Sequence, residues 1–220
     1  MFTSTDLIST SYSSHSPAAK IFERHKVVAM PPVMDRLQCN HTAGDVRYAK
    51  DDAWIRREAI GSQGDPARFS MMDRGGIEKY APRILDWEDW ILRLAREVTG
   101  MDLILSPWYR SSVNVRKYVG DDTEGRHFDT QPLAALLFLQ QGAPLRVECE
   151  AGTVDIESIP GRVVLMKGDE LIHSVPPGPT DFYSCRIGVC FNLYTPDNTA
   201  RPAYIDKMLY ENMSYEDATR

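Results

Sequence analysis

The chain has 220 residues and a mass of 24.9 kDa, with 25 basic against 31 acidic residues and a net charge of −6. Hydrophobic residues make up 43% and charged residues 25%. That balance excludes a mostly disordered or collagen-like chain, and a protein of this length folds without a metal or disulfide staple.

Residues 1–20 are Ser-rich and poor in apolar side chains, and read as a flexible tail. They lack the basic start and apolar stretch of a secretory signal, so a cytoplasmic location is expected. There Cys39, Cys149, Cys185 and Cys190, which show no CxxC spacing, stay reduced. No apolar run approaches the roughly 20 residues that span a bilayer. No cluster of Lys or Arg offers a grip on nucleic acid. Neither a membrane nor a nucleic-acid partner is expected, and the oligomeric state is left open.

Residues 21–110 lean towards helix and are expected to support and cover a strand-rich C-terminal half. Asp51 or Asp52 can cap a short helix that carries Trp54 and Ile55 and stops near Gly61. Residues 61–83 mix Gly, Arg, Met and Asp without clear periodicity, and read as a long covering loop. The clearest helix is Asp86–Thr99. Asp86 is its expected N-cap, Trp87, Trp90, Ile91, Leu94 and Val98 share one stripe, and Gly100 comes just past its end.

From about residue 111 the period changes. Val113, Val115 and Val119 alternate with Asn114, Arg116 and Tyr118, and residues 133–139 form a continuous apolar run, as in a strand covered on both faces. Short strand candidates come next at 146–150, 154–157, 162–166, 171–175 and 182–193, separated by Gly- and Pro-containing turns. Many short strands with tight turns predict a mainly β sandwich, barrel or jelly roll with flanking helices. Its core is expected over 111–196, with a helix starting near Pro202 and a tail in 197–220.

Two of the five histidines lie in this half. His127 and Asp129 are two apart, so on a strand they face the same way; His173 comes 46 residues after His127. Two imidazoles and one carboxylate are the facial set that suits Fe(II) and leaves open positions. In residues 183–193 the odd positions are apolar and the even ones polar or small, which turns Arg186 inward. A buried arginine needs an anion, and its fork suits a carboxylate.

With these residues in place, the chain resembles the 2-oxoglutarate/Fe(II)-dependent dioxygenases, whose core is a double-stranded β-helix (jelly roll). The resemblance runs from Arg116-Lys-Tyr-Val-Gly120 through His127-Phe-Asp129 and Gly168-Asp to His173 and Arg186. The lead-in is similar to that of the prolyl-hydroxylase-like branch. The resemblance implies that His127, Asp129 and His173 hold Fe(II), that Arg186 takes the distal carboxylate of 2-oxoglutarate, and that Tyr118 and Asn114 contact the same cosubstrate. It implies use of O2, with succinate and CO2 as co-products, and oxidation of a C–H bond in a small molecule such as an amino acid or specialised metabolite. Hydroxylation is the first expectation; desaturation, epoxidation and ring closure would use the same residues. A carboxylate at 129 disfavours halogenation. Asn192 stands where AlkB-like demethylases carry a second Arg, and Arg186 stands where prolyl hydroxylases usually carry Lys. A protein or peptide hydroxylase, and a cupin-like metal binder without redox turnover, remain as alternatives.

Overall fold

The computed structural model describes residues 16–61, 63–178, 185–202 and 204–220. Most of the expected tail lies outside these residues, as do Phe182, Tyr183 and Ser184 at the expected start of the last strand. In chain order the elements are α1 (Pro17–His25), β1 (Val27–Pro32), α2 (Arg36–Arg47), β2 (Ile55–Ile60), β3 (Pro66–Met72), α3 (Arg74–Tyr80), α4 (Glu88–Thr99), β4 (Ile104–Leu105), α5 (Tyr109–Ser112), β5 (Val113–Val119), β6 (Thr123–His127), β7 (Leu133–Gln140), β8 (Leu145–Cys149), β9 (Gly152–Ile156), β10 (Arg162–Met166), β11 (His173–Val175), β12 (Cys185–Tyr194), α6 (Tyr204–Tyr210) and α7 (Tyr215–Thr219). The strands form one antiparallel sheet in the order β1-β10-β7-β12-β5-β3-β6-β11-β8-β9, with β2 on β3 and β4 on β12. The fold is mainly β with flanking helices and a jelly-roll core.

The period of two in the central strands separates two apolar layers. On β7, Leu133, Ala135, Leu137 and Leu139 join the layer under the helices, while Ala134, Leu136 and Phe138 face the barrel interior. On β12, Ile187, Val189, Phe191 and Leu193 turn to the helices and Cys190 turns inward. A strand apolar on both faces is what the run at 133–139 requires. In α4, Ile91, Leu94, Ala95 and Val98 are buried against this sheet, and Trp87 and Trp90 pack edge to face at its margin. Gly100 ends α4 with φ 68°, a left-handed conformation that glycine adopts without a side-chain clash.

The differences from the sequence reading are local. Pro17–Lys20 open α1 rather than ending the tail: the Ser16 hydroxyl caps the Ala19 N–H, proline suits the first turn, and Phe22 is buried beyond. The helix expected after Asp51 is one 3-10 turn, Asp51–Ala53, leading into β2. The loop expected over 61–83 contains β3 and α3. Ala67, Phe69 and Met71 alternate with Arg68 and Ser70, and the apolar set is buried. The surrounding Gly, Arg and Asp residues hid that strand period. Asp86 sits inside a 3-10 turn, Pro82–Trp87, so α4 starts without a side-chain cap. No helix among the described residues is long and apolar enough to cross a membrane.

Candidate metal centre

Strand pairing builds the centre. β11 lies antiparallel to β6 with His173 opposite His127, which brings the two rings to 4.2 Å between centroids. β6 ends at His127, so Asp129 lies beyond the strand rather than on it. Its backbone N–H donates to the Gly168 carbonyl at 2.8 Å, which returns the carboxylate to the imidazoles. Gly168 leaves the room: a Cβ there would stand 2.6 Å from the Asp129 Cβ. Oδ1 of Asp129 is 3.9 Å from Nε2 of His127, and Oδ2 is 3.5 Å from Nε2 of His173. All three ligand atoms lie within 4.8 Å of one another.

Both imidazoles are oriented by the backbone. Nδ1 of His127 is 2.7 Å from the Gly125 carbonyl and Nδ1 of His173 is 3.0 Å from the Leu171 carbonyl. Each Nδ1 therefore carries the hydrogen, and each Nε2 keeps its lone pair for a metal. Burial, and then the neighbouring His127, push the His173 pKa down to about 4, so it is neutral and ready to ligate at neutral pH.

Beside the three ligands lies a residue that the sequence reading did not single out. Glu124 is buried, and its Oε1 is 3.6 Å from Nε2 of His127. Arg116 donates to both its oxygens at 2.7 Å, and the Tyr118 hydroxyl donates to Oε2 at 2.5 Å. Burial alone would raise its pKa; Arg116, His127 and the Tyr118 hydroxyl outweigh that and bring it to about 2. Position 124, three before His127, carried no motif signal. On a regular strand it would share a face with Arg126; a register shift in the β6–β11 pairing instead puts it on the His127 side, while Arg126 pairs on the outside with Glu148 at 2.7 Å.

Two cavities meet at this centre. The narrower one runs between Arg186 and the pair His173 and Asp129, with Leu136, Leu145, Met166 and Val175 along its sides. Arg186 is 3% exposed. Its Nε and Nη1 have no hydrogen-bond partner among the described residues. Its guanidinium lies 5.0 Å from the ring centres of Tyr118, directly opposite on β5, and Phe138. Burial pulls its pKa below the ordinary arginine value. The wider cavity, about 120 Å³, is bordered by His127, Asp129 and Glu124 and roofed by α6. Asn114 lines this wider cavity, where its Oδ1 accepts from Nε of Arg116 at 3.2 Å. Tyr118 lines the narrower one, with its hydroxyl on Glu124. The structure thus brings His127, Asp129 and His173 together, sets Arg186 and Tyr118 across the narrow cavity from them, and places Asn114 on the other side of Arg116.

The donor set and the two guanidinium nitrogens of Arg186 without a partner among the described residues fit an iron centre with a bound dicarboxylate. Neutral imidazoles and a carboxylate suit a first-row metal, and an apolar cleft closed by an uncompensated guanidinium suits a dianion whose other end reaches that metal.

No protein-family model and no curated relative matches the chain. Solved structures do. The chain is similar to the non-heme alpha ketoglutarate dependent carbocyclase SnoK from nogalamycin biosynthesis, with a TM-score of 0.69 at 12% identity over 92% of this chain and 93% of that one. It is similar to a prolyl hydroxylase from Trichoplax adhaerens solved with a peptide, with a TM-score of 0.66 at 12% identity over 83% and 89%. HygX from Streptomyces hygroscopicus, solved with nickel and 2-oxoglutarate, gives 0.60 at 12% over 80% and 85%. These likenesses show that the chain has the fold of the 2-oxoglutarate/Fe(II) oxygenases.

Proposed function

We propose that this protein is a 2-oxoglutarate/Fe(II)-dependent dioxygenase that hydroxylates a C–H bond of a small molecule. The observation that carries the reading is the buried Arg186, whose Nε and Nη1 have no hydrogen-bond partner among the described residues, facing the His127, Asp129 and His173 cluster across an apolar cleft. His127, Asp129 and His173 would hold Fe(II), and Arg186 the far carboxylate of 2-oxoglutarate. When bound, iron and cosubstrate would supply the oxidation chemistry: O2 is the four-electron oxidant, with two electrons from decarboxylation of 2-oxoglutarate to succinate and CO2 and two from the C–H bond that becomes C–OH.

The chain's own part is positional. The Gly125 and Leu171 carbonyls fix the two tautomers, and Gly168 lets the carboxylate reach the imidazoles. Leu136, Leu145 and Met166 keep water away from the cosubstrate's midsection. The Arg116–Glu124 pair borders both cavities, so it stands between the cosubstrate and the molecule to be oxidised.

The roof over the wider cavity favours a small molecule over a peptide. Tyr204, Ile205, Met208 and Leu209 of α6 line it from above, and Arg57 ties α6 down through the Met208 carbonyl and holds the segment after it through the Met213 carbonyl.

Turnover tests this reading. With Fe(II), ascorbate and O2, the wild type is expected to convert 2-oxoglutarate to succinate. Arg186→Ala is expected to raise KM for 2-oxoglutarate by at least about tenfold, equivalent to one charge-assisted hydrogen bond. His173→Ala is expected to release no succinate. Succinate release that ignores both substitutions would overturn the assignment.

A further inference from the structure

The wider cavity carries a charge imbalance that the metal centre does not use. Two carboxylates line it, Glu124 and Asp129. Glu124 is bound by Arg116 and Tyr118, and Asp129 belongs to the ligand cluster. Three guanidiniums line it, those of Arg57, Arg116 and Arg201. Arg116 is committed to Glu124. Arg57 is 3% exposed and has no carboxylate partner among the described residues; its Nη1 donates to two backbone carbonyls. The Arg201 side chain is 5% exposed, with Nη2 at 2.8 Å from Asp206, whose own side chain is 60% exposed. Nε of Arg201 has no partner among the described residues. A buried guanidinium nitrogen left without an acceptor is costly to maintain; Arg201 has one in Nε, and Arg57 has carbonyls but no carboxylate among the described residues, both beside the apolar surfaces of Phe69, Phe128, Ile205 and Leu209.

We infer that the wider cavity binds an organic anion, a carboxylate or phosphate monoester joined to an apolar body, with Arg201 and Arg57 taking the charged group. The fork of each arginine matches either anion. The apolar body packs against Phe69 and α6, and His127 and Asp129 border the same cavity, so the held molecule lies beside the ligand cluster. The inference rests on the dioxygenase reading in calling this molecule the substrate; the binding itself needs no turnover.

Calorimetric titration of the full chain tests it, with 3-phenylpropionate, 2-phenylethyl phosphate and the neutral 3-phenylpropionamide as probes. The protein holds Zn(II) and saturating 2-oxoglutarate, so that Arg186 is already taken. At least one anion is expected to bind about tenfold or more tightly than the amide, a preference of about 1.4 kcal/mol. Arg201→Gln is expected to erase that preference and leave the amide unchanged. Asp206→Asn, which frees Nη2 of Arg201, is expected to strengthen anion binding. Arg57→Gln is expected to weaken the anions too, but it also loosens α6, so Arg201→Gln decides. The ratio between the two anions tells carboxylate from phosphate. Failure of Zn(II) or 2-oxoglutarate to bind would count against the dioxygenase reading alone; the same probes are then titrated into metal-free Arg186→Ala, with the same expectations. Equal affinity for all three probes, no binding of any, or a preference that survives Arg201→Gln would overturn the proposal.

Discussion

Asp129 is held in place by the absence of a side chain far along the sequence. A Cβ at position 168 would stand 2.6 Å from the Asp129 Cβ and 2.7 Å from its Cγ, closer than carbon atoms approach without displacement. Gly168→Ala is therefore expected to swing the carboxylate off the cluster while leaving the sheet intact, and to weaken metal binding by about 10- to 100-fold, as loss of ligand support typically does. Titration with Zn(II) beside a denaturant melt checks both halves of that statement. Arg116 offers a second residue-scale test. It is the direct partner of Glu124, so Arg116→Met leaves a buried carboxylate without its counter-charge and is expected to cost about 3 kcal/mol of stability. A chemical denaturation midpoint unchanged from wild type would show that the pair does not hold the two cavities apart. His127, Asp129 and His173, the proposed ligands, could be picked out in the sequence because metal chemistry constrains residue type and spacing, and the fold brings the three together. Glu124 was not legible, because nothing in its neighbours foretells that β6 turns it towards His127. Asn114 and Tyr118 were expected to contact the cosubstrate through the family resemblance alone, which says nothing about which cavity each meets; Tyr118 lines the narrower one and Asn114 the wider.

At the scale of elements, the strands from Val113 onward were legible as alternation or as apolar runs between Gly and Pro turns, and α6 was legible from Tyr204, Ile205, Met208 and Leu209. β2 and β3 were not. Their outward positions carry Arg56, Glu58 and Arg68, and Arg57 is buried by its bonds to α6. The charge density imitates a loop, and only tertiary pairing shows otherwise. β3 matters because it lies between β5 and β6 in the sheet, the two strands that carry Tyr118, Glu124 and His127. Phe69→Ala, at a position 1% exposed, is expected to destabilise the protein by about 3 kcal/mol; a measured loss below about 1 kcal/mol would mean that β3 is not integral to the core.

For the whole molecule, the centre makes stability depend on pH. His173 moves from 6.5 in the unfolded chain to about 4 when folded. Between those values the unfolded chain takes up a proton that the folded one refuses, so the metal-free protein loses stability as pH falls through that window, by about 3 kcal/mol in total. Glu124, depressed from 4.5 to about 2, contributes stability that is present above 4.5 and is lost as pH falls further towards 2. His173→Gln is expected to flatten the stability profile between pH 6.5 and 4 and to leave the more acidic slope in place; a mutant profile parallel to wild type would contradict the burial argument. The central claim is that one fold joins a three-ligand metal site to an arginine that awaits an anion. Anaerobic titration of the Fe(II)-loaded protein with 2-oxoglutarate, monitored by the visible metal-to-ligand charge-transfer band, tests it most directly. The account predicts a saturable band in the wild type, a band displaced to higher 2-oxoglutarate concentration in Arg186→Ala, and none in His173→Ala. Folded, iron-loaded wild-type protein that shows no band, or an Arg186→Ala titration that overlays the wild type, would contradict it.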